Sequence, residues 1–428
     1  MKFTRVFAFM ALAGLAGSAF ATDGYFSHGY GMKAKGMGGA ATATSNDAFF
    51  GANNPAAAAF VGNRLDLGVD LFSPRREASR TGSAGGAFNG SVKSDSNYFL
   101  IPEFGYNQMV NTDLALGVTV YGNGGMNTNY PGGQIAAGSC GAGAPASNML
   151  CGQGKLGVNL MQLIFAPTAA YKIAPNHSIG ISPLIGYQQF KADGLQAFTA
   201  PVGSAQQKSS DPTSVTNRGN DDSWGYGVRI GYMGKITPSV SIGAAYASKM
   251  SFNEFSKYRG LFAEQGGFDI PENYNLGVAW QATSAFLLAL DYQRINYSDV
   301  KSIGNPSTNQ ALLGSNNGPG FGWQDVDVWK LGVEYKYSQQ LTLRAGYNHT
   351  DNPIQSRDAM FNILAPGVVK DHATLGFTYA LASGNELTMA YMHAFKNDVT
   401  GPDGLGAGGT DKIQMYQDSL GVQYSWKM

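Results

Sequence analysis

The sequence predicts an all-β fold: a transmembrane antiparallel β-barrel of about 14 strands with an N-terminal hatch, or plug, in its lumen. Three observations carry this reading. A two-residue alternation of apolar and polar side chains repeats along the chain, short turns alternate with long loops, and an export signal is followed by no helix-length apolar run. The alternation is plainest in Val328-Trp-Lys-Leu-Gly-Val-Glu-Tyr-Lys-Tyr337. In an extended chain Trp329, Leu331, Val333, Tyr335 and Tyr337 share one face, and Lys330, Gly332, Glu334 and Lys336 the other. Such a strand suits lipid on one side and water or a plug on the other. Leu116-Gly-Val-Thr-Val120, Ile230-Gly-Tyr232, Ile242-Gly-Ala-Ala-Tyr246, Leu276-Gly-Val-Ala-Trp280, Leu375-Gly-Phe-Thr-Tyr379 and Leu420-Gly-Val-Gln-Tyr424 repeat it, each with glycine on the non-apolar side. A soluble sandwich explains one such strand well and seven poorly.

Composition agrees. Only 14% of the 428 residues are charged, against roughly 25% in ordinary soluble domains, while 58 are Gly and 22 are Tyr. Lys+Arg and Asp+Glu are both 29, and no basic stripe calls for nucleic acid.

Residues 1–21 read as a secretory signal: Lys2 and Arg5, then an apolar run from Val6 to Leu15, then Ala19-Phe-Ala21 as cleavage site. That run is too short to span a bilayer, and no later stretch reaches the roughly 18 to 20 apolar residues of a spanning helix. An exported chain of amphipathic strands is expected in a bacterial outer membrane, among its lipid and lipopolysaccharide.

Residues 22–63 do not alternate and fit either a loose periplasmic tail or a plug folded into the lumen; their many small residues and Phe26, Phe49, Phe50 and Phe60 favour the plug. From residue 64 the barrel is expected over 64–428, with strands at 64–74, 94–108, 113–126, 155–173, 178–192, 222–236, 239–254, 268–282, 285–299, 323–338, 340–352, 368–382, 385–398 and 412–428. Short turns fall near Val110–Asp113, Ala174–Asn176, Thr237–Pro238, Ala282–Ser284, Ser338–Gln340 and Ser383–Asn385, with long Gly-, Ser- and Asn-rich loops between them. Cys140 and Cys151, the only cysteines, share one loop and are expected to form a disulfide rather than a metal site. Closing so short a loop contributes about 2 to 3 kcal/mol.

Three places carry a family resemblance. Asn53-Asn-Pro-Ala56 resembles the plug motif of the FadL/TodX outer-membrane transporters of fatty acids and other hydrophobic compounds. Gly36-Met-Gly-Gly-Ala40 with Asn46-Asp47 is similar to that family's amino-terminal segment. Leu341-Thr-Leu-Arg-Ala-Gly-Tyr347 and Asp371-His-Ala-Thr-Leu-Gly-Phe-Thr-Tyr379 resemble its late strands. The resemblance implies passive uptake through a plugged barrel, an apolar landing site on the loops, a hydrophobic pocket near the mature amino terminus, and sideways release where the third strand kinks inward. On this chain it points to Asn54, Pro55 and Ala56 as hatch motif, to Tyr25 and Phe26 at the pocket, and to Gly122, Gly124 and Gly125 at the kink, where clustered glycines suit a bulge.

By alternation Arg229, Lys330 and Arg344 face inward and are candidate partners for an acidic headgroup, with Asp47 or Glu334 as the competing partners. Met149, Leu150, Leu261, Phe262, Leu312, Leu313, Phe321 and Phe361 are candidates for the outer landing patch. The alternative is a general diffusion porin, which gives an apolar plug no task. An enzyme is not expected: His28, His177, His349, His372 and His393 are scattered and belong to no nucleophile or metal motif. No cofactor is called for, and a monomer is expected.

Overall fold

The computed structural model describes residues 22–428; the expected signal at 1–21 lies outside the described residues. Sixteen strands follow one another in antiparallel order. They are β1 (Arg64–Thr81), β2 (Gly90–Lys93), β3 (Phe99–Met109), β4 (Leu114–Asn127), β5 (Gly157–Ala174), β6 (His177–Asp193), β7 (Asp221–Thr237) and β8 (Val240–Ala247). Then come β9 (Ser251–Phe252), β10 (Asn273–Gln281), β11 (Phe286–Ile295), β12 (Val326–Lys336), β13 (Leu341–Thr350), β14 (Asp371–Ala380), β15 (Glu386–Pro402) and β16 (Thr410–Lys427). β2 and β9 are short side pieces on β1 and β7, which leaves fourteen staves. The ring closes where β1 pairs with β16 from Arg64 opposite Lys427 to Thr81 opposite Thr410, so no open edge remains there.

The alternation sorts as the sequence predicts. Trp329 and Leu331 are half exposed on the outer wall, while Lys330, Gly332 and Glu334 point inward and are buried. Short turns lie at one end and long loops at the other.

Boundaries differ in two instructive places. The first strand, expected at 64–74, runs on to Thr81. Pro74 sits where β1 has a partner on one side only, after its pairing with β3 ends at Phe72 and before its pairing with β2 begins at Glu77, so a missing N–H is tolerated. The strand expected at 239–254 ends at Ala247, and only Ser251–Phe252 rejoin the sheet, as β9.

One seam of the wall is incomplete. β3 pairs with β4 only from Phe104 opposite Val120 to Met109 opposite Ala115. β4 nevertheless continues to Asn127 on its other side, against β5, with a register shift between Gly122 and Gly124. Phe99–Glu103 and Tyr121–Asn127 thus face each other without a ladder, until the Asp95 N–H donates to the Asn129 carbonyl (2.9 Å).

Residues 22–62 run inside the ring and are nearly all buried. They include α1 (Met32–Lys35), a 3₁₀ turn at Pro55–Ala57 and α2 (Ala58–Val61). Their backbone lies against inward-facing glycines: a Cβ on Gly346 would stand 2.1 Å from the Gly38 nitrogen, one on Gly243 2.0 Å from the Thr42 carbonyl, and one on Gly124 1.8 Å from the Tyr25 carbonyl. The glycine that recurs on the polar side of the strands therefore makes room for the inner segment.

Gly346→Val is expected to unseat residues 36–40 at a cost of about 1–3 kcal/mol. Planar-bilayer recordings should then show ion conductance above wild type; wild-type conductance would contradict this seating.

Candidate functional site

At the long-loop end an apolar cleft of about 530 Å³, counting its open mouth, lies between the loops and the tops of the strands. Six of the expected landing residues line it: Leu150, Leu261, Phe262, Leu313, Phe321 and Phe361. Met149 and Leu312 do not. The Met149 carbonyl instead accepts a bond from Arg80 Nη1 (2.8 Å), and Arg80 is itself held by the buried carboxylate of Asp411 (2.8 Å). That clamp fixes the loop closed by the Cys140–Cys151 disulfide and so positions Leu150. Phe190, Phe198, Leu195 and Leu364 also line the cleft. Phe190 was unreadable as a site residue because it looks like any inward position of a strand; that β6 carries it up among the loops depends on the tertiary structure.

Tyr25 and Phe26 are fully buried, and their rings are packed rather than lining an open apolar pocket. Tyr25 lies against Tyr297 (5.2 Å between centroids), Trp323 (5.9 Å) and Phe268 (6.3 Å). The Tyr25 N–H donates to the Tyr297 hydroxyl (3.1 Å), and Gly24 has no side chain to obstruct that ring. Sequence reading missed Tyr297, Trp323 and Phe268, which come from two loops, Phe268 before β10 and the other two between β11 and β12.

Below this cluster Arg229 and Lys330 line one small polar chamber with Asp291, Asn275, Gln293, Tyr30 and Phe26. Lys330 Nζ is 3.8 Å from Asp23, and Asp291 accepts bonds from the Ala41 and Thr42 N–H groups (both 2.8 Å). Arg229 reaches the Asn53 carbonyl (3.3 Å), and its Nε has no hydrogen-bond partner among the described residues. Arg344 lies elsewhere: Glu334, the competitor named above, holds it at 2.7 Å, and Thr378 takes its Nη1 (2.6 Å). Burial raises the Asp23 carboxyl to about 6, with Lys330 and Asn348 opposing the shift. His28 and His372 stack 6.1 Å apart, both buried. Burial chiefly, then His372, Lys35 and Lys330, holds His28 well below the usual histidine range and so neutral.

Nearer the short-turn end, Asn54 caps the 3₁₀ turn by accepting the Ala56 N–H (3.1 Å) and donates to the Thr42 (2.8 Å) and Tyr232 (2.9 Å) carbonyls. Pro55 stands at the first turn position, where no N–H is needed. Ala56 offers its carbonyl to Ser178 (2.8 Å). The motif thus ties the inner segment to β6 and β7. Lys35 binds Asp70 (2.9 Å) and faces Glu103 (3.6 Å), and Lys33 binds Glu386 (2.6 Å), all buried. Asp47 faces this group, and burial raises its carboxyl to about 6.

Gly122, Gly124 and Gly125 lie on β4 at the unpaired seam. There the inner segment takes up the backbone bonds that β3 leaves: Ser27 N–H donates to the Asn123 carbonyl and Gly125 N–H to the Tyr25 carbonyl, both at 3.2 Å. The disrupted register and the missing Cβ at Gly124 allow that approach.

A family model described as Outer membrane protein transport protein (OMPP1/FadL/TodX) matches residues 9–419. Among solved structures the chain is similar to the P. putida toluene transporter TodX (18% identity, 94% of this chain and 99% of that chain, TM-score 0.67). It is similar also to the Ralstonia pickettii toluene transporter TbuX (18%, 94% and 99%, TM-score 0.65). A Pseudomonas aeruginosa FadL homologue matches at 16% identity over 94% and 99%, with TM-score 0.68. At these identities the likeness concerns the fold. No curated protein matches the sequence.

Lys35→Met leaves two buried carboxylates unpaired, and is expected to loosen the inner segment by about 3–5 kcal/mol. Limited proteolysis of the folded protein should then cut within residues 22–62 faster than in wild type. For Asp23 the sign follows from its raised value: its contribution to seating is full below the free carboxyl value near 4 and is lost as pH rises through about 6. Asp23→Asn should therefore seat the segment more firmly than wild type at pH 7 and lose that advantage by pH 4, read as protection from the same protease. Equal protection of both proteins at pH 7 would refute it.

Proposed function

The chain belongs to the OMPP1/FadL/TodX family of outer membrane transport proteins, and on that footing we propose that it is a passive carrier that takes small hydrophobic compounds across the outer membrane. Cargo is captured in the loop cleft, passes the inner segment, which acts as the plug, and leaves sideways between β3 and β4 into the membrane. The observation that carries this reading is the interrupted β3–β4 ladder, which faces the plug at the height of Tyr25 and Phe26. Release into the membrane plane suits an apolar solute, which gains about 25 cal/mol for each Å² it keeps from water.

The cleft supports an uncharged cargo. Five phenylalanines and no charged residue line it, and a single polar side chain, Ser302, is engaged with the Gly267 carbonyl. Inside, Lys330 and Arg344 already have acidic partners, which leaves Arg229 as the cation best placed for a headgroup. The similar structures include two described as toluene transporters and one described as a FadL homologue, so a monoaromatic and a long-chain fatty acid are the two cargoes to compare. A general porin is disfavoured by the segment that fills the ring, and capture must stay weak enough to permit escape.

The test is competition by toluene and by a long-chain fatty acid against one fluorescent apolar dye bound to the purified protein. Phe262→Asp, which puts a charge into the cleft, is expected to weaken dye binding roughly tenfold or more, since burying an unpaired charge costs several kcal/mol. Saturable displacement supports the carrier; no displacement by either compound, with unchanged binding to Phe262→Asp, would return the reading to a porin. Deleting residues 22–62 should turn a closed barrel into an ion-conducting one.

A further inference from the structure

The outside of the wall, where the ring closes, carries two cations that the rest of the chain leaves without an acidic partner. On β1 the outward row climbs from Leu71 through Ser73 to Arg75, opposite Leu420, Asp418 and Tyr416 of β16. β15 continues it with Tyr391 opposite Leu420 and His393 opposite Asp418. Its register then shifts between Ala394 and Asn397, which leaves Phe395 and Lys396 together against Tyr416. Such a bulge re-aims a side chain, and here both extra residues are exposed. Arg75, Tyr416 and Lys396 thus stand just above exposed Leu71, Leu100 and Leu420, on their long-loop side. In an outer-membrane barrel that is the level of the outer leaflet's headgroups. The carboxylates nearby are already engaged. Asp418 accepts the Tyr391 hydroxyl (2.7 Å) and holds His393 Nδ1 (2.9 Å), Glu77 faces Lys93 (3.9 Å), and Asp398 faces Lys412 (3.3 Å). Arg75 donates to the Tyr98 hydroxyl (2.6 Å), and its guanidinium lies 4.8 Å from that ring's centroid. Among the described residues neither Arg75 nor Lys396 belongs to an ion pair.

We propose that the outer wall over β15, β16 and β1 binds one lipopolysaccharide by its bis-phosphorylated lipid A, with one phosphate on Arg75 and the other on Lys396. The spacing selects this anion. Two strand spacings, about 10 Å, separate β1 from β15, and Arg75 leans further away, toward Tyr98 on the far side of β1. One phosphate does not bridge that span, whereas phosphates at the two ends of a disaccharide match it. Tyr416 and Phe395, exposed between the cations, offer aromatic faces to the sugars, and Leu71, Leu100 and Leu420 offer apolar wall to the acyl chains. Arg75 binds its phosphate through paired N–H donors held in place by Tyr98, and Lys396 acts as a point charge. The lipid so held lies outside the barrel, across the closure of β1 on β16, and apart from the cleft and the lumen.

The test titrates the full mature chain, in detergent micelles, with diphosphoryl lipid A, monophosphoryl lipid A and phosphatidylglycerol, and counts bound lipid by native mass spectrometry. Wild type is expected to hold one diphosphoryl lipid A per chain, about fivefold or more tighter than the monophosphoryl form, and less tightly as salt is raised. Arg75→Gln and Lys396→Gln should each weaken that binding about fivefold, and together tenfold or more. Lys235→Gln, which removes an exposed cation at the short-turn end, should leave it unchanged. Wild-type affinity in the double variant, with its circular dichroism unaltered, would overturn the proposal; should the double variant not fold, wild-type affinity in both single variants would do the same. Equally tight binding of phosphatidylglycerol to wild type would overturn the assignment to lipid A and leave a general face for anionic lipid.

Discussion

The contact on which the structure depends is that of the inner segment's backbone with a lining of glycines. Side chains on opposite walls fill a narrow barrel, and a polypeptide enters the lumen only where they are absent. Gly124, Gly243 and Gly346 supply that absence on β4, β8 and β13, where any Cβ would stand about 2 Å from a backbone atom of the segment. Such contacts leave little space between the segment and the wall at these positions.

What surrounds that lining is polar, and it is nearly balanced. Lys35 with Asp70 and Glu103, Lys33 with Glu386, and Lys330 with Asp23 bring charges from segment and wall into buried contact. Buried pairs add little net stability but make wrong registers expensive, because a displaced partner leaves its mate unpaired. The segment is thereby held in one place without the bulk of a large apolar core. Asp23, whose carboxyl is raised by burial, is a point where the seat is weaker at neutral pH.

The seam between β3 and β4 obeys the same accounting of polar groups. A strand that leaves its ladder inside a membrane would normally strand its N–H and C=O groups in lipid. Here the segment bonds Asn123 and Gly125 of β4 in place of β3, which meets two of the backbone groups that the opened wall leaves on that strand. Inner segment and gap are therefore one feature, since the bonds that bridge the gap are those that hold Tyr25 and Ser27 in place.

How much was legible in the sequence depends on the range of the interaction concerned. Alternation is local, so the staves, their inward and outward faces, and the turns at Val110–Asp113 and Ser338–Gln340 were all readable from neighbouring residues. Glycines at 122, 124 and 125 marked an irregular strand for the same reason, whereas Asn54-Pro55-Ala56 was read only through its family resemblance, and its capped turn came from the structure. Partnership is not local. Nothing near Arg344 in the chain says that it pairs with Glu334 while Arg229 keeps its Nε without one, because that choice is made by registers between β12 and β13 and by which residue of the segment arrives opposite. The meeting of Phe190, Phe262 and Phe321 in one cleft, and of Tyr25 with Tyr297 and Trp323, joins residues far apart in the chain. The sequence by itself determined a closed wall with an apolar outside and a glycine-spaced inside, since period-two burial allows no other sorting. Only the tertiary structure decided where that wall stays unpaired and which rings line the way to it.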